Sequence, residues 1–542
     1  MKLRSTIIGL SVLAVLVSGC DSQRGDFVVS NTSPGPFEVR RLDGSQNNLF
    51  NPQLGTAGSR LLREVPIAYD DMMASPSGVN RPAPRNISNT CVSQAADMPD
   101  PTGHSAYVWA WGQFIDHDLD LTGTGSEAFD IPIPAGDPFF DPFNLGNLVM
   151  PFARSVFDPD TGTDPSNPRQ QINQITAFLD GSGIYGSDVD RAAALRTFEG
   201  GMLKTSAGDL LPFNLDGLPN DDPTGQPPTS LFLAGDRRAN EQIALTSLHT
   251  LFVREHNRQA RLLGQALVGL SDEQIYQLAR KRVGALVQVV TYQEFLPAIL
   301  GPGALPPYTG YNPNIDPGID ILFSTAAFRF GHSLVGPTLL RLDASGQPIA
   351  AGNLAIRDAF FQPTRLVTEG GIDPVLRGLA ATPMQQLDPN IIDDLRSFLF
   401  GPPGSGGLDL ACLNIQRGRD HGLPDFNTVR VACGLAPLAS FAQLTGDQAR
   451  AQGLATLYGS PDNLDPWVGF LAEDPAPGGL VGPTLRVVLI KQFTRLRDGD
   501  RFFYANDPSL AAFRGELEAT TLADIIARNT EATIQGDAFK TP

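Results

Sequence analysis

The stretch WGQFIDHDLD, residues 111–120, places an amide, an imidazole and several carboxyls inside an apolar, aromatic segment. If it forms a helix, Gln113 and His117 lie one turn apart on the same face, with Asp116 beside them. Asp118 then points about 100° away from His117. One helix could therefore offer a base, an amide and a carboxyl to one cavity, and a further carboxylate to a neighbouring site. The alternative is a helix with a solvated acidic face, but such a face has no need of interleaved tryptophan and phenylalanine.

A second group of oxygen donors lies in TAFLDGS, residues 176–182. Thr176, Asp180 and Ser182 are evenly spaced, with the carbonyl of Phe178 between them, and alternate residues of an extended loop face the same side. Calcium takes about six to eight hard oxygen ligands. This segment and the outward carboxylate of the first stretch could supply most of them, although an ordinary turn rich in serine, threonine and aspartate is the alternative.

Three further segments carry charged or titratable residues. They are AGDRRANEQ at 234–242, FRFGHSL at 328–334 and LNIQRGRDHGLPDFN at 413–427. Taken singly, each has an ordinary interpretation: a surface salt-bridge network, a core histidine on an apolar helix, and a polar loop.

The elements that must position these groups are predicted to be helices. An apolar period of 3.6 residues predicts helices over about 104–118, 240–264, 272–299 and 318–335, separated by loops rich in proline and glycine. Alternating strand patterns are scarce, and nothing marks a domain boundary. We therefore predict a mainly α fold, a single large helical domain with long loops and little β structure.

The composition excludes some classes of protein. The chain has 542 residues, of which 42% are hydrophobic and 18% charged, and this balance is typical of a globular protein. Its net charge of −18 argues against binding to nucleic acid and against polybasic docking on anionic lipid.

The first residues predict export. Residues 1–20 resemble a signal peptide, with an apolar core too short to span a bilayer comfortably and a lipobox-like end, VSGC, at Cys20. Residues 21–38 are predicted to be a polar tether and 39–542 the folded domain. We expect a lipoprotein of the cell envelope, on the periplasmic or surface side, or a secreted protein, with membrane contact only through lipid on Cys20. No later segment is predicted to be transmembrane.

The other cysteines are Cys91, Cys412 and Cys433. Three thiols cannot all pair internally, and one disulfide with one buried thiol suits an exported protein. The pairing stays open.

Taken together, the five polar segments resemble the animal-type haem peroxidase superfamily, which includes myeloperoxidase, lactoperoxidase and peroxidasin. The resemblance runs from LDGSQNNL at 42–49 through EGGIDPVLRGL at 369–379 to RDGDRFFY at 497–504. It implies that haem b is bound in a helical domain.

The resemblance assigns His117 as the distal histidine, Arg238 as the distal arginine and Gln113 as the distal glutamine, which is thought to hydrogen-bond water or halide. An imidazole with a pKa near neutrality can take and return the peroxide proton, and a permanent cation can stabilise developing negative charge.

On the proximal side, the resemblance assigns His332 as the iron ligand. Asn414 would accept a hydrogen bond from the other nitrogen of that imidazole and so orient it. Arg329 and Arg417 fall where the family binds haem propionates.

Further ligands follow from the same resemblance. Asp116 and Glu241 match carboxylates that form esters with haem methyl groups, whereas Gln242 replaces the methionine that one branch links to haem, so that bond is impossible here. The calcium ligands implied by the resemblance are Asp118, Thr176, Phe178, Asp180 and Ser182.

The implied function is a peroxidase in which hydrogen peroxide oxidises ferric haem by two electrons, to a high-valent form, and a halide, thiocyanate or small aromatic donor returns them. One alternative is a fatty-acid dioxygenase of the same fold, but its radical-forming tyrosine would stand where Arg329 does. Another is a non-catalytic adhesion or binding module, although the catalytic residues are present. The remaining histidines, His104, His249, His256 and His421, are interpreted as structural.

Overall fold

The computed structural model describes residues 33–35 and 38–542. The predicted signal peptide, Cys20 and nearly all of the predicted tether lie outside these residues.

Helices account for most of the regular structure, which confirms the predicted mainly α fold. The α-helices are Pro84–Ile87 (α1), Tyr107–Leu119 (α2), Ser182–Tyr185 (α3), Val189–Leu195 (α4), Ile243–Ala266 (α5), Asp272–Val290 (α6), Leu296–Leu300 (α7), Thr364–Thr368 (α8), Asp373–Ala381 (α9), Asp393–Arg396 (α10), Leu410–Asp420 (α11), Phe426–Ala432 (α12), Gln448–Tyr458 (α13), Pro466–Ala472 (α14), Pro483–Asp498 (α15), Arg514–Glu518 (α16) and Leu522–Asn529 (α17).

Tighter and wider turns interrupt this pattern. The π-helical segments are Ser88–Val92, Thr291–Phe295 and Phe323–Ala327. The 3-10 segments are Pro228–Ser230, Phe328–Leu334, Ile356–Asp358, Phe441–Gln443, Pro461–Asn463 and Pro508–Phe513.

The strands are short and form antiparallel pairs. They are Thr124–Ala128 (β1), Ile131–Pro132 (β2), Val149–Met150 (β3), Ala153–Ser155 (β4), Thr338–Leu339 (β5) and Leu354–Ala355 (β6), paired as β1 with β4, β2 with β3 and β5 with β6.

Three of the four predicted helices occur within a few residues of their predicted bounds, as α2, α5 and α6 with its continuation to Leu300. The prediction of an α-helix over 318–335 was wrong in type, because this region is a π segment followed by the 3-10 segment Phe328–Leu334. An apolar period predicts that a helix forms. It does not distinguish 3-10, α and π helices, whose hydrogen bonds join residues three, four and five apart.

Helix α2 is enclosed by the core rather than lying on its surface. It packs on α5, with the rings of Trp111, Phe114 and Phe252 in mutual contact, and Trp111 donates its indole N–H to Thr291 Oγ1 at 3.2 Å. Burial of this many large rings fixes the helix position, since each buried aromatic contributes on the order of 2 kcal/mol.

Two sequence expectations concern other elements. The stretch from Asp272 to Leu300 is apolar and long enough to span a membrane, but 72% of its most apolar window is buried inside the protein, as in a core helix. The disulfide considered for the exported chain does not form among the described residues, where Cys91, Cys412 and Cys433 are free thiols.

A close backbone contact places the segment 234–238 on α3. A Cβ atom added to Gly235 would lie 2.3 Å from the carbonyl oxygen of Ser182 and 2.5 Å from the amide nitrogen of Gly186. The amide of Asp236 also donates to the carbonyl of Gly183 at 3.0 Å. Only glycine permits this approach, so the segment that carries Arg238 is held directly against the loop that follows residue 180.

We predict that Gly235→Ala lowers the free energy of unfolding by about 2 kcal/mol, because overpacking a closed contact costs about 1–3 kcal/mol. Denaturant unfolding of the purified protein measures this. The matched control is Gly515→Ala in α16, where an added Cβ meets nothing within 4 Å. Equal free energies of unfolding for the two variants would contradict the close-packing argument.

Candidate active site

A cavity of about 420 Å³ lies between α2, the segment 238–242, the 3-10 segment Phe328–Leu334 and α11. Its volume is in the range of cofactor sites, about 300–1,000 Å³. The lining residues predicted from sequence are Gln113, Asp116, His117, Arg238, Glu241, Arg329, His332 and Arg417. Eight residues from four separate segments therefore meet in one place.

His117 enters the cavity as a neutral imidazole. Burial, followed by the neighbouring Arg238 charge, holds the pKa of His117 well below its usual value. Its Nδ1 lies 3.5 Å from Asp236 Oδ1 and its Nε2 lies 3.9 Å from Glu241 Oε2. Both distances are longer than a hydrogen bond, so this base can accept a proton from a molecule in the cavity.

Arg238 is fixed by a buried carboxylate. Its Nε and Nη2 donate to Asp236 at 3.0 and 2.8 Å, and Nη2 also donates to the carbonyl of Asp120 at 2.9 Å. Although burial acts to raise it, the pKa of Asp236 is held below its usual value by the charge and hydrogen bonds of Arg238. A guanidinium clamped in this way presents a fixed positive charge to the cavity.

Two carboxyls of the cavity are poised to be neutral. Burial, followed by the charge of Asp120, raises the pKa of Asp116 well above its usual value. Burial also raises the pKa of Glu241 to about 7, against the opposing charge of Arg238. Both groups lie where the family resemblance predicts ester-forming carboxyls.

Gln113 is held by Gln242, a residue that the sequence analysis named only for the methionine it replaces. Gln242 donates its Nε2–H to Gln113 Oε1 at 3.0 Å, and its own Oε1 accepts from the amide of Ala244 at 2.6 Å. Gln242 is therefore part of the cavity as well as the N-cap of α5.

His332 contacts Asn414, the residue predicted to orient it. The Asn414 side-chain amide lies 2.8 Å from His332 Nδ1 and also contacts Arg329 at 3.4 Å. The donor in the His332 contact depends on the imidazole tautomer and on which end of the amide faces it, so the direction of this hydrogen bond stays a prediction. Burial, followed by the charge of Arg329, lowers the pKa of His332 to about 3.

Arg329 and Arg417 both line the cavity, but Arg417 already has partners. It donates to Asp420 at 2.9 Å and to Ser155 Oγ at 2.7 Å. Burial, with the nearby Arg329 charge contributing, lowers the pKa of Arg417 to about 10. Two neighbouring half-buried cations favour an anionic group between them.

His421 differs from the other histidines interpreted as structural. It is buried with the expected partners, since Nδ1 pairs with Thr325 Oγ1 at 2.7 Å and Nε2 with Ser155 Oγ at 2.8 Å. It nevertheless lines the cavity, whereas His104, His249 and His256 do not.

The oxygen-rich loop predicted from sequence does meet α2. Asp118 accepts hydrogen bonds from the amides of Asp180, Gly181 and Gly183 and from Ser182 Oγ, all within 2.9–3.0 Å. Thr176 Oγ1 donates to Asp180 at 3.2 Å.

Two buried acids, Asp118 of α2 and Asp180 of the loop, lie close together. Burial, followed by the charge of Asp180, raises the pKa of Asp118 to about 7. Arg40 is the nearby cation, 4.0 Å from Asp180 and 2.7 Å from Asp500. The described residues contain no group of three or more histidine, cysteine or acidic side chains that could hold a metal, so any ion here must rely largely on hydroxyl and carbonyl oxygens. The fifth predicted ligand, Phe178, is buried in this loop.

The cavity fits a flat, partly anionic cofactor such as haem. Open space lies around Gly331, next to His332, where an added Cβ meets nothing within 4 Å. Asp120 also lines the cavity, and its Oδ2 is buried without a hydrogen-bond partner. The apolar side chains at one end, Phe360, Phe400, Leu395, Leu399 and Leu410, suit a porphyrin ring, and the two arginines suit its carboxylates.

Two residues of the site, Asp236 and Asp120, were missed from sequence, and Gln242 was named without a role in the cavity. Asp236 could have been found from its place between Gly235 and the arginines, because a buried arginine needs an acid. Asp120 and Gln242 lie next to predicted residues along the chain, but only their orientation in the fold shows that they face the cavity.

Comparison with known proteins identifies the family of this chain. The animal haem peroxidase family model matches residues 39–539. The peroxidasin homolog of Mus musculus is 37% identical over 98% of this chain. The chain spans only 39% of that relative's length.

Solved structures extend the likeness to the fold. Peroxidase A from Dictyostelium discoideum superposes with a TM-score of 0.87 at 35% identity, covering 93% of this chain and 99% of that one. The fatty acid alpha-dioxygenase of Oryza sativa, at 22% identity, covers 99% of this chain and 93% of that one with a TM-score of 0.77, a likeness of fold alone. From the family match and the identity to these peroxidases, we conclude that the chain belongs to the animal haem peroxidase family.

Proposed function

We propose that this protein is a haem peroxidase that reduces hydrogen peroxide and oxidises a small donor, namely a halide, thiocyanate or an aromatic molecule. The observation that carries the proposal is the meeting, in one buried cavity, of a neutral imidazole, a clamped guanidinium and a second imidazole. These groups belong to His117, Arg238 and His332.

Haem, when bound, supplies the redox chemistry of the reaction. His332 would hold the iron through Nε2. Ligation requires the proton on Nδ1, so Asn414 must then present its amide oxygen there. Arg329, relieved of its 3.4 Å contact with Asn414, is free to pair with a propionate.

His117 is proposed to move the proton of the peroxide. Its neutral ring accepts a proton from one peroxide oxygen and returns it to the other as the O–O bond breaks, so that water leaves. Burial and the Arg238 charge keep the ring neutral, which is the state that a base needs. Arg238 stabilises the negative charge that develops on the departing oxygen.

The dioxygenase alternative finds no support at the site. No tyrosine is among the residues that line the cavity within the described chain, and Arg329 occupies the position expected for the radical-forming tyrosine. A purely binding role would leave the His117, Asp236 and Arg238 arrangement without a purpose.

Two finer features are proposed with this function. Asp116 and Glu241 would each form an ester with a haem methyl group, a two-electron oxidation of one C–H bond for which a peroxide is reduced to two waters. Burial raises the pKa of Asp116 well above its usual value and that of Glu241 to about 7, so a protonated form of each carboxyl is populated near neutral pH.

Calcium is proposed to bind at Asp118, Thr176, Phe178, Asp180 and Ser182. The pairing of two buried carboxyls with hydroxyl oxygens supports it, because a cation relieves their repulsion. Export, with Cys20 as a lipid anchor, is proposed from the sequence of residues 1–20.

To test the function, the exported chain loaded with haem is given one equivalent of hydrogen peroxide while its absorption spectrum is recorded. We expect the Soret band to shift and to return when bromide, iodide or a phenol is added. His332→Ala should abolish the band or its shift, since the proposed iron ligand is lost. His104→Ala, a histidine outside the cavity, is the control and should behave as wild type. A wild-type protein that binds no haem, or binds it and ignores peroxide, would overturn the proposal.

The ion site predicts a pH-dependent stabilisation by calcium. In the absence of an ion, the pKa of Asp118 is raised to about 7, so below that pH the folded protein holds a proton that calcium must displace. The melting temperature gained on adding calcium should therefore be small at pH 5.5 and larger at pH 8. Asp180→Asn should remove most of the gain at pH 8. Equal gains at both pH values, or none, would count against the site.

A further inference from the structure

Gln242 is a buried glutamine, 3% exposed, whose two amide ends have different partners. Its Oε1 accepts from the backbone amide of Ala244 at 2.6 Å, and its Nε2 lies 3.0 Å from Gln113 Oε1. Neither partner is a water or a mobile surface group, so Gln242 is held at both ends.

These contacts leave one orientation for both side chains. The backbone N–H of Ala244 can only donate, so it must face the oxygen of Gln242. The Gln242 atom facing Gln113 is then the nitrogen, which can only donate, so Gln113 must meet it with its own oxygen. The orientation of the Gln113 amide is thereby set by the first turn of α5, and does not depend on how the oxygen and nitrogen ends were assigned.

The remaining end of Gln113 is its NH₂ group. Gln113 lines the cavity. An amide nitrogen carries two protons, which can donate to a ligand in the cavity. Together with the charge of Arg238, this makes the region a donor environment that favours anions.

We propose that Gln242 is a positioning residue that fixes Gln113 as a hydrogen-bond donor to a small monovalent anion, a halide or thiocyanate, in the cavity. The inference deepens the proposed function and rests on it, because it names the anionic class of donor that the site accepts. Without Gln242, the Gln113 amide could turn and present its oxygen, which repels an anion.

The competing explanation is that Gln242 only caps α5. A capping residue stabilises the helix by about 1 kcal/mol, whatever stands at position 113. A positioning residue acts on the anion only through Gln113. The two roles are separated by a double-mutant cycle, in which coupling between the two sites is measured directly.

The experiment compares wild type, Gln242→Leu, Gln113→Leu and the double variant, each loaded with haem and in the ferric state. Bromide is titrated, and its dissociation constant is taken from the shift of the Soret band at fixed pH and ionic strength. Leucine is close to glutamine in size, removes both amide contacts and cannot link to haem. We expect bromide binding to weaken about fivefold in each single variant, as for the loss of one hydrogen bond, with no further loss when Gln242→Leu is added to Gln113→Leu.

Gln259→Leu is the matched control. Gln259 is buried on the same helix, away from the cavity, and donates to Glu255 at 2.6 Å. It should lower the melting temperature without changing the bromide dissociation constant. The control shows that loss of a buried amide from α5 does not by itself affect the cavity.

Three results would overturn the inference. Bromide affinity unchanged in Gln242→Leu would show that Gln242 does not position the donor. Equal weakening by Gln242→Leu in the presence and absence of Gln113 would show that it acts by another route. Wild-type protein that reacts with peroxide but binds no bromide would remove the anion site and leave the peroxidase function standing, whereas failure to bind haem or react with peroxide removes both.

Discussion

The structure of the site depends on one buried carboxylate. Asp118 accepts hydrogen bonds from the backbone amides of Asp180, Gly181 and Gly183 and from the hydroxyl of Ser182. This clamp joins α2 to residues 180–183. Gly235 then packs its backbone directly on the same loop. His117, on α2, and Arg238, on the glycine-led segment, are therefore positioned from one point. The opening motif thus has its explanation: neighbouring residues of one helix face two different sites.

Burial determines how these groups behave. Desolvation favours the neutral form of His117, Asp116 and Glu241. Asp236 stays ionised because Arg238 is bonded to it. The cavity thus combines a neutral base with the Asp236–Arg238 ion pair, an arrangement that can transfer a proton and stabilise an anion. The amide pair of Gln242 and Gln113 adds a directed donor to the same space.

Much of the fold and of the site could be predicted from sequence, for physical reasons. The apolar period located α2, α5 and α6, and the residue types in five segments named the groups that the fold brings together. The sequence could not show the π and 3-10 turns around His332, because they share the apolar pattern of an α-helix. Asp236 and Gln242 act through side-chain directions that only the packed structure defines, and His421 reaches the cavity by the turn that follows α11.

We infer that the Asp118 clamp positions His117 for reaction with peroxide. The most direct test of this role is the second-order rate constant for the reaction of hydrogen peroxide with the ferric protein, measured by stopped flow for wild type and Asp118→Asn at equal haem content. Asparagine keeps the size of the side chain but replaces one acceptor oxygen with a donor, which cannot meet the loop amides. We expect the rate constant of Asp118→Asn to be lower by about tenfold or more while haem stays bound, because even a small misplacement of a catalytic group is costly. An unchanged rate constant in a folded, haem-loaded variant would show that the loop and the catalytic helix are independent, and would contradict the account.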